Sequence, residues 1–219
     1  MERISDAFVW PVRDHEWVVK VLIIGLIDLI PIVGQINGIG WMLASLDHLR
    51  AGDEKLAPGN FSYLGRGFPI FVVELIYALI VVAIGMVLYI PGIVIAAEQG
   101  HGSGNAGLIG LAILLNLGAF GLIALGSLGF TFMLPAIVLA TDSGGIGAGL
   151  RIGEVLRRCR ANPMDTLIAG LMLIAASFVG SLGVVACGIG AFFTSAYALA
   201  MQAWILRSFE IGSTTPIAV

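Results

Sequence analysis

The chain has 219 residues, of which 58% are apolar and only 11% charged, and its formal net charge is −3. Its mean hydropathy is +1.01. Soluble domains carry about 25% charged residues, so this composition excludes a water-covered globule. The apolar runs are long and unbroken, where a β-barrel would alternate polar and apolar residues in short segments. The expected class is all-α: a polytopic transmembrane helical bundle of about six membrane segments, forming a single membrane domain over 1–219.

Residues 1–16 are polar and acidic enough to exclude a cleavable signal peptide. They read as an interfacial segment with Ile4, Ala7 and Phe8 on one side, and Trp10 and Trp17 suit the membrane interface. Residues 17–50 form an apolar run broken by Pro31 and Gly34. Each arm is about 15 residues, or about 22 Å, short for a full crossing. The expectation is a broken, re-entrant helical hairpin with its tip near Pro31–Gly38; the competing reading is one long helix kinked at Pro31.

Residues 51–67 follow as a cytoplasmic loop. Transmembrane segments are expected at 68–97, where Glu74 is the one charge, and at 106–141, where there is none. In 144–160, helical periodicity places Ala148, Ile152, Val155, Leu156 and Cys159 on one face and Arg151, Glu154, Arg157 and Arg158 on the other. This reads as a cytoplasmic amphipathic helix, with Arg151, Arg157 and Arg158 as candidate contacts for anionic lipid. The alternative is a connector whose arginines only set orientation. Asn162 as cap and Pro163 at the first helical position open a segment over 163–186, and 189–210 is the last.

The 11 Lys and Arg residues lie before or at the start of the first apolar run, in the loop before Phe68, between 140 and 163, and at Arg207. The loop 99–105 and the region around Cys187 have none. Lys and Arg mark the cytoplasmic side, so both termini are expected inside, in the cytoplasmic membrane. Cys159 and Cys187 then fall on opposite sides, so no disulfide between them is expected.

Gly107, Gly118 and Gly129 recur every eleven residues, as do Gly110 and Gly121. Eleven residues return a helix to nearly the same azimuth, so the five form a candidate helix-packing face. They serve packing within the bundle, oligomerisation, or a flat lipid. The segment 101–107 contains a G-x-G-x-x-G, but no strand precedes it, so it is no dinucleotide fingerprint. His15, His48 and His101 are scattered. No catalytic residues, metal ligands or cofactor are expected, and the chain reads as a non-enzyme.

Asp28, Glu74 and Asn116 are the polar residues at depth and form the candidate intramembrane polar site, because a charge in the bilayer normally has a partner or a function. Their ordinary roles are Asp28 satisfying backbone at the broken hairpin and Glu74 reaching back to Arg66.

The stretch FVWPVRDHEWVVKVLIIGLIDLIPIVGQINGIGW, the LRAGDEKLAP loop, RGFPIFVVELIY, LPAIVLA and ACGIGAFFTSAYALAMQAW together resemble the uncharacterised prokaryotic membrane proteins known as domain of unknown function 4013. The resemblance implies a multi-pass bundle with a broken N-terminal hairpin. It brings no established activity and no catalytic residues. The function expected is lipid binding or service as an accessory subunit. The expected partners are membrane lipids, other membrane subunits or a second copy, and no nucleic acid. The alternative is a small ion- or proton-coupled transporter or channel using Asp28 and Glu74. That alternative requires Asp28, Glu74 and Asn116 to converge on one hydrated cavity.

Overall fold

The computed structural model describes residues 6–99, 105–185 and 190–214. The expectations for Ile4, His101 and Cys187 fall outside these residues. The described residues are helical, joined by turns and loops, with no strand among them. A short helix α1 (Asp6–Val9) and a 3₁₀ turn (Trp10–Arg13) lead into α2 (Trp17–Asp28) and α3 (Val33–Arg50). Then come α4 (Leu64–Gln99), α5 (Ala106–Gly149), α6 (Ile152–Ala161), α7 (Pro163–Val185) and α8 (Gly190–Thr214). Three helices are long and apolar enough to cross a membrane: α4, α5 and α7. The last helix, expected as a span, is not among them, since its polar and charged residues lower its hydropathy.

The chain divides into two compact units, Met1–Val73 with Phe132–Val219, and Glu74–Thr131. The first is built around α8, which packs against α7, α3 and α2. Its Ala196, Ala200, Met201, Ala203, Ile205 and Phe209 are buried. Small residues set the close approaches. A Cβ on Gly180 would lie 3.3 Å from that of Ala198, and one on Gly25 would lie 3.1 Å from the Phe192 carbonyl oxygen. The opposite face of α7 carries Met164, Leu167, Leu171, Phe178 and Leu182, all exposed. Their helical spacing makes an apolar stripe along the whole helix.

Between α2 and α3 the chain breaks at residues 29–32. The Val33 amide donates to the Pro31 carbonyl at 2.7 Å, and Ile32 between them has φ 67° and ψ −57°. That is a γ-turn of the rare positive-φ kind, and for a β-branched residue it is a strained conformation. Gly34 follows because a Cβ there would run into the Ile27 carbonyl and lie 2.6 Å from the Asp28 Cα.

The loop expected over 51–67 ends earlier, since α4 begins at Leu64. The Asn37 side chain accepts the Tyr63 amide at 3.0 Å, and the Tyr63 carbonyl accepts the Arg66 and Gly67 amides, so the first helical turn forms there. The preceding residues make a strap against α2 and α3. The Trp41 indole donates to Ala57 O at 2.9 Å, the Asn37 amide donates to Asn60 O at 2.9 Å, and the Ala57 amide donates to Ser45 Oγ. Leu56 and Ala57 are buried, so these bonds satisfy backbone that would otherwise be orphaned.

The amphipathic stretch is also shorter than the expected 144–160. Residues up to Gly149 belong to α5, which is interrupted at Gly145 (φ 71°, ψ −172°). Arg151 precedes α6 rather than lying in it. Of the expected apolar face, Val155 and Cys159 are buried, whereas Ile152 is exposed.

In the second unit the central parts of α4 and α5 pair. Tyr77 meets Phe130 and Tyr89 meets Phe120, with ring centroids 5.7 and 5.9 Å apart.

Candidate functional site

Asp28 closes the last turn of α2. Its Oδ2 lies 3.2 Å from the Ser195 hydroxyl of α8, and its buried Oδ1 has no hydrogen-bond partner among the described residues. Gly38 of α3 makes room for it, since a Cβ there would lie 3.1 Å from Oδ1 and 2.8 Å from the Leu199 δ-methyl. Asp28 therefore does not satisfy the open backbone of the hairpin. The backbone of the break bonds to itself, and the carboxyl group turns to α8.

Glu74 and Asn116 both lie in the second unit. Asn116 donates to the Ala112 carbonyl of its own helix at 2.8 Å and packs against Gly92, where a Cβ would lie 2.5 Å from its Nδ2. Gly92 is eighteen residues along α4 from Glu74, or about 27 Å of helix. Glu74 and Asn116 therefore share no cavity, and the three-residue convergence required by a transporter is absent. Arg66, in the first unit, binds Asp47 and, at 3.2 Å, Asp142. Asn116 instead edges an apolar groove of about 430 Å³ with Ala96, Ile113 and Phe120.

Of the glycine face on α5, Gly118 is turned to α4, where a Cβ would lie 3.4 Å from a Leu88 δ-methyl. Around Gly110, Gly121 and Gly129 an added Cβ would meet nothing within 4 Å. The helix pair is sealed elsewhere. Ala112 and Ala119 are buried, and Asn116, Ile123 and Gly126 oppose Gly92, Gly85 and Val81. The residues 112, 116, 119, 123 and 126 alternate steps of four and three, a 3.5-residue repeat that keeps one seam against the partner helix. An eleven-residue repeat follows a different azimuth.

Sequence reasoning missed two polar clusters in the first unit. In one, Arg50 at the end of α3 binds Glu210 of α8 at 2.9 Å and Asp142 of α5 at 2.9 Å, and also Asp47. Arg66 joins through Asp47 and Asp142, and Arg207 binds Glu210 at 2.9 Å. Three guanidinium groups thus meet three carboxylates and tie together the ends of four helices. In the other, Asp14 is nearly fully buried and accepts from Lys20 Nζ at 2.7 Å and from the Leu56 and Glu16 amides. Burial pushes its carboxyl up, but those three bonds outweigh burial and hold it below the usual carboxylate range. The signal available in sequence was only charge at helix ends, which reads equally well as orientation.

On α6 the arginines remain in solvent. Arg157 has a side chain 79% exposed and lies 3.7 Å from Glu154, and Arg158 and Arg160 are exposed. Arg151, just before the helix, is 73% exposed and 3.9 Å from Glu154. Cys159 faces inward, and burial pushes its thiol up. No group of three or more His, Cys, Asp or Glu able to hold a metal occurs among the described residues.

Residues 23–189 match the family described as "Protein of unknown function (DUF4013)". The chain belongs to this family. No curated protein and no solved structure gives a significant match. The region matched to DUF4013 takes in Asp28, Glu74, Asn116 and α6. It begins after Asp14 and Lys20 and ends before Ser195 and Glu210, so the partners of Asp28 and Arg50 on α8 lie outside it.

Proposed function

We propose that this DUF4013 protein is a non-enzymatic, lipid-binding protein of the cytoplasmic membrane that serves as an accessory to membrane assemblies. In this reading it has six membrane segments and both termini inside, and α2 and α3 dip into the bilayer and return. The single observation that carries lipid binding is the junction of α6 and α7. Arg157, Arg158 and Arg160 stand in solvent, and exposed Met164, Leu167 and Leu171 begin immediately after them. A basic rim directly above a lipid-facing stripe is the arrangement that captures anionic headgroups, each Arg near such a surface contributing about 1 kcal/mol. Most carboxylates of the first unit are engaged with arginine or lysine, which fits structural work rather than acid–base chemistry.

Native mass spectrometry after mild extraction tests the reading. The protein should retain phosphatidylglycerol in preference to phosphatidylcholine, and the triple variant Arg157→Gln, Arg158→Gln, Arg160→Gln should lose that preference about tenfold or more. Equal retention of both lipids by the parent protein would refute it.

A further inference from the structure

We propose that the Asp28 pocket at the hairpin tip is a proton-binding site, in which the carboxyl group donates to the Ser195 hydroxyl. The placement of one hydrogen decides the pair. The Ser195 hydroxyl lies 2.8 Å from the Phe192 carbonyl oxygen and 3.2 Å from Asp28 Oδ2. A hydroxyl has a single hydrogen to give, and the shorter contact takes it. Ser195 Oγ then presents lone pairs to Asp28, and two acceptors face each other unless the carboxyl group brings its own proton. The second oxygen, Oδ1, is buried without a partner among the described residues.

Among the described residues no cation is paired with Asp28. On α2, Lys20 is eight residues away, about 12 Å of helix, and is committed to Asp14 and the Leu56 carbonyl. On α3, the nearest charge to Gly38 is Asp47, nine residues on, about 13 Å. On α8, Arg207 is twelve residues from Ser195, about 18 Å, and binds Glu210. A half-buried carboxylate with one oxygen sealed from solvent and unpartnered, one shared hydrogen bond and no paired cation is costly, whereas the neutral acid is satisfied at Oδ2 and carries no charge. Losing the proton requires a new donor to reach Asp28. The turn 29–32 follows Asp28 directly and holds the strained Ile32. This inference is independent of lipid binding at α6.

Infrared spectroscopy of the full-length protein in detergent, parent against Asp28→Asn, reads the proton directly. At neutral pH the parent should show the carbonyl stretch of a protonated carboxyl group, shifted in D2O and absent from Asp28→Asn. Solid-state NMR of the parent labelled with carboxyl-¹³C aspartate gives the same answer without a variant: one aspartate should stay in the protonated range at pH 7. All aspartates in the ionised range would overturn the proposal. So would a signal that becomes ionised when choline chloride is exchanged for sodium chloride at constant pH, since the pocket would then hold a metal cation.

Discussion

Asp14 shows how one side chain holds three pieces of chain. It fixes the Lys20 ammonium of α2, the Glu16 amide before that helix and the Leu56 amide of the strap. Its side chain is 4% exposed and that of Lys20 is 12% exposed, so little solvent screening weakens the pair. Replacing Asp14 by Asn leaves a buried ammonium with a neutral partner, which should cost about 3 kcal/mol at pH 7. The pH dependence follows from the direction of the shift. The folded protein holds this carboxyl below its unfolded value of about 3.9, so the stabilisation is complete above that value and is lost as pH falls through the folded one. Thermal unfolding of the parent in detergent should therefore show the full contribution of Asp14 down to about pH 5 and a loss below about pH 4. Asp14→Asn should lack that component of the fall. A variant as stable as the parent at pH 7, with the same acid profile, would show that the pair contributes nothing.

At the scale of elements, periodicity was a sound guide to existence and a poor one to seams. The break at Pro31, the start of α7 at Pro163 and the long apolar helices were legible because proline, glycine and hydrophobic length act locally. The seam between α4 and α5 was not, because glycines occur on several faces and only the partner helix decides which of them matters. Gly85 shows the difference. A Cβ there would meet the Ile123 side chain, whereas one on Gly121 would meet nothing. Gly85→Leu should destabilise the helix pair by about 1–3 kcal/mol through overpacking, while Gly121→Leu should be nearly neutral. Disulfide trapping between cysteines placed at 88 and 118 reports the pairing. Its loss in Gly121→Leu but not in Gly85→Leu would restore the eleven-residue face. The polar clusters were illegible for a related reason. Arg50 and Glu210 lie 160 positions apart, and no local pattern couples them.

For the whole molecule the open question is the last helix. By apolarity α8 does not qualify as a crossing, yet its position argues that it goes where α7 goes. The two run antiparallel along their full length: Gly183 of α7 lies against Gly190 of α8, and Asp165 of α7 lies against Gly212 of α8. With 25 residues, α8 is about 37 Å long, enough for a hydrocarbon core of about 30 Å. Its lower hydropathy follows from its place in the unit. Packed by α7, α3 and α2, it meets protein where α7 keeps an exposed apolar stripe, and it can afford Ser195, Thr194 and Gln202. Reporter fusions decide the matter. A phosphatase that is active only outside the cell should be active when fused within 100–104 and silent after residue 53, residue 160 or the C-terminus. A fluorescent protein that folds only inside should give the opposite pattern. Activity of the phosphatase at the C-terminus would mean that α8 does not return to the cytoplasm, and the six-segment topology would fall with it.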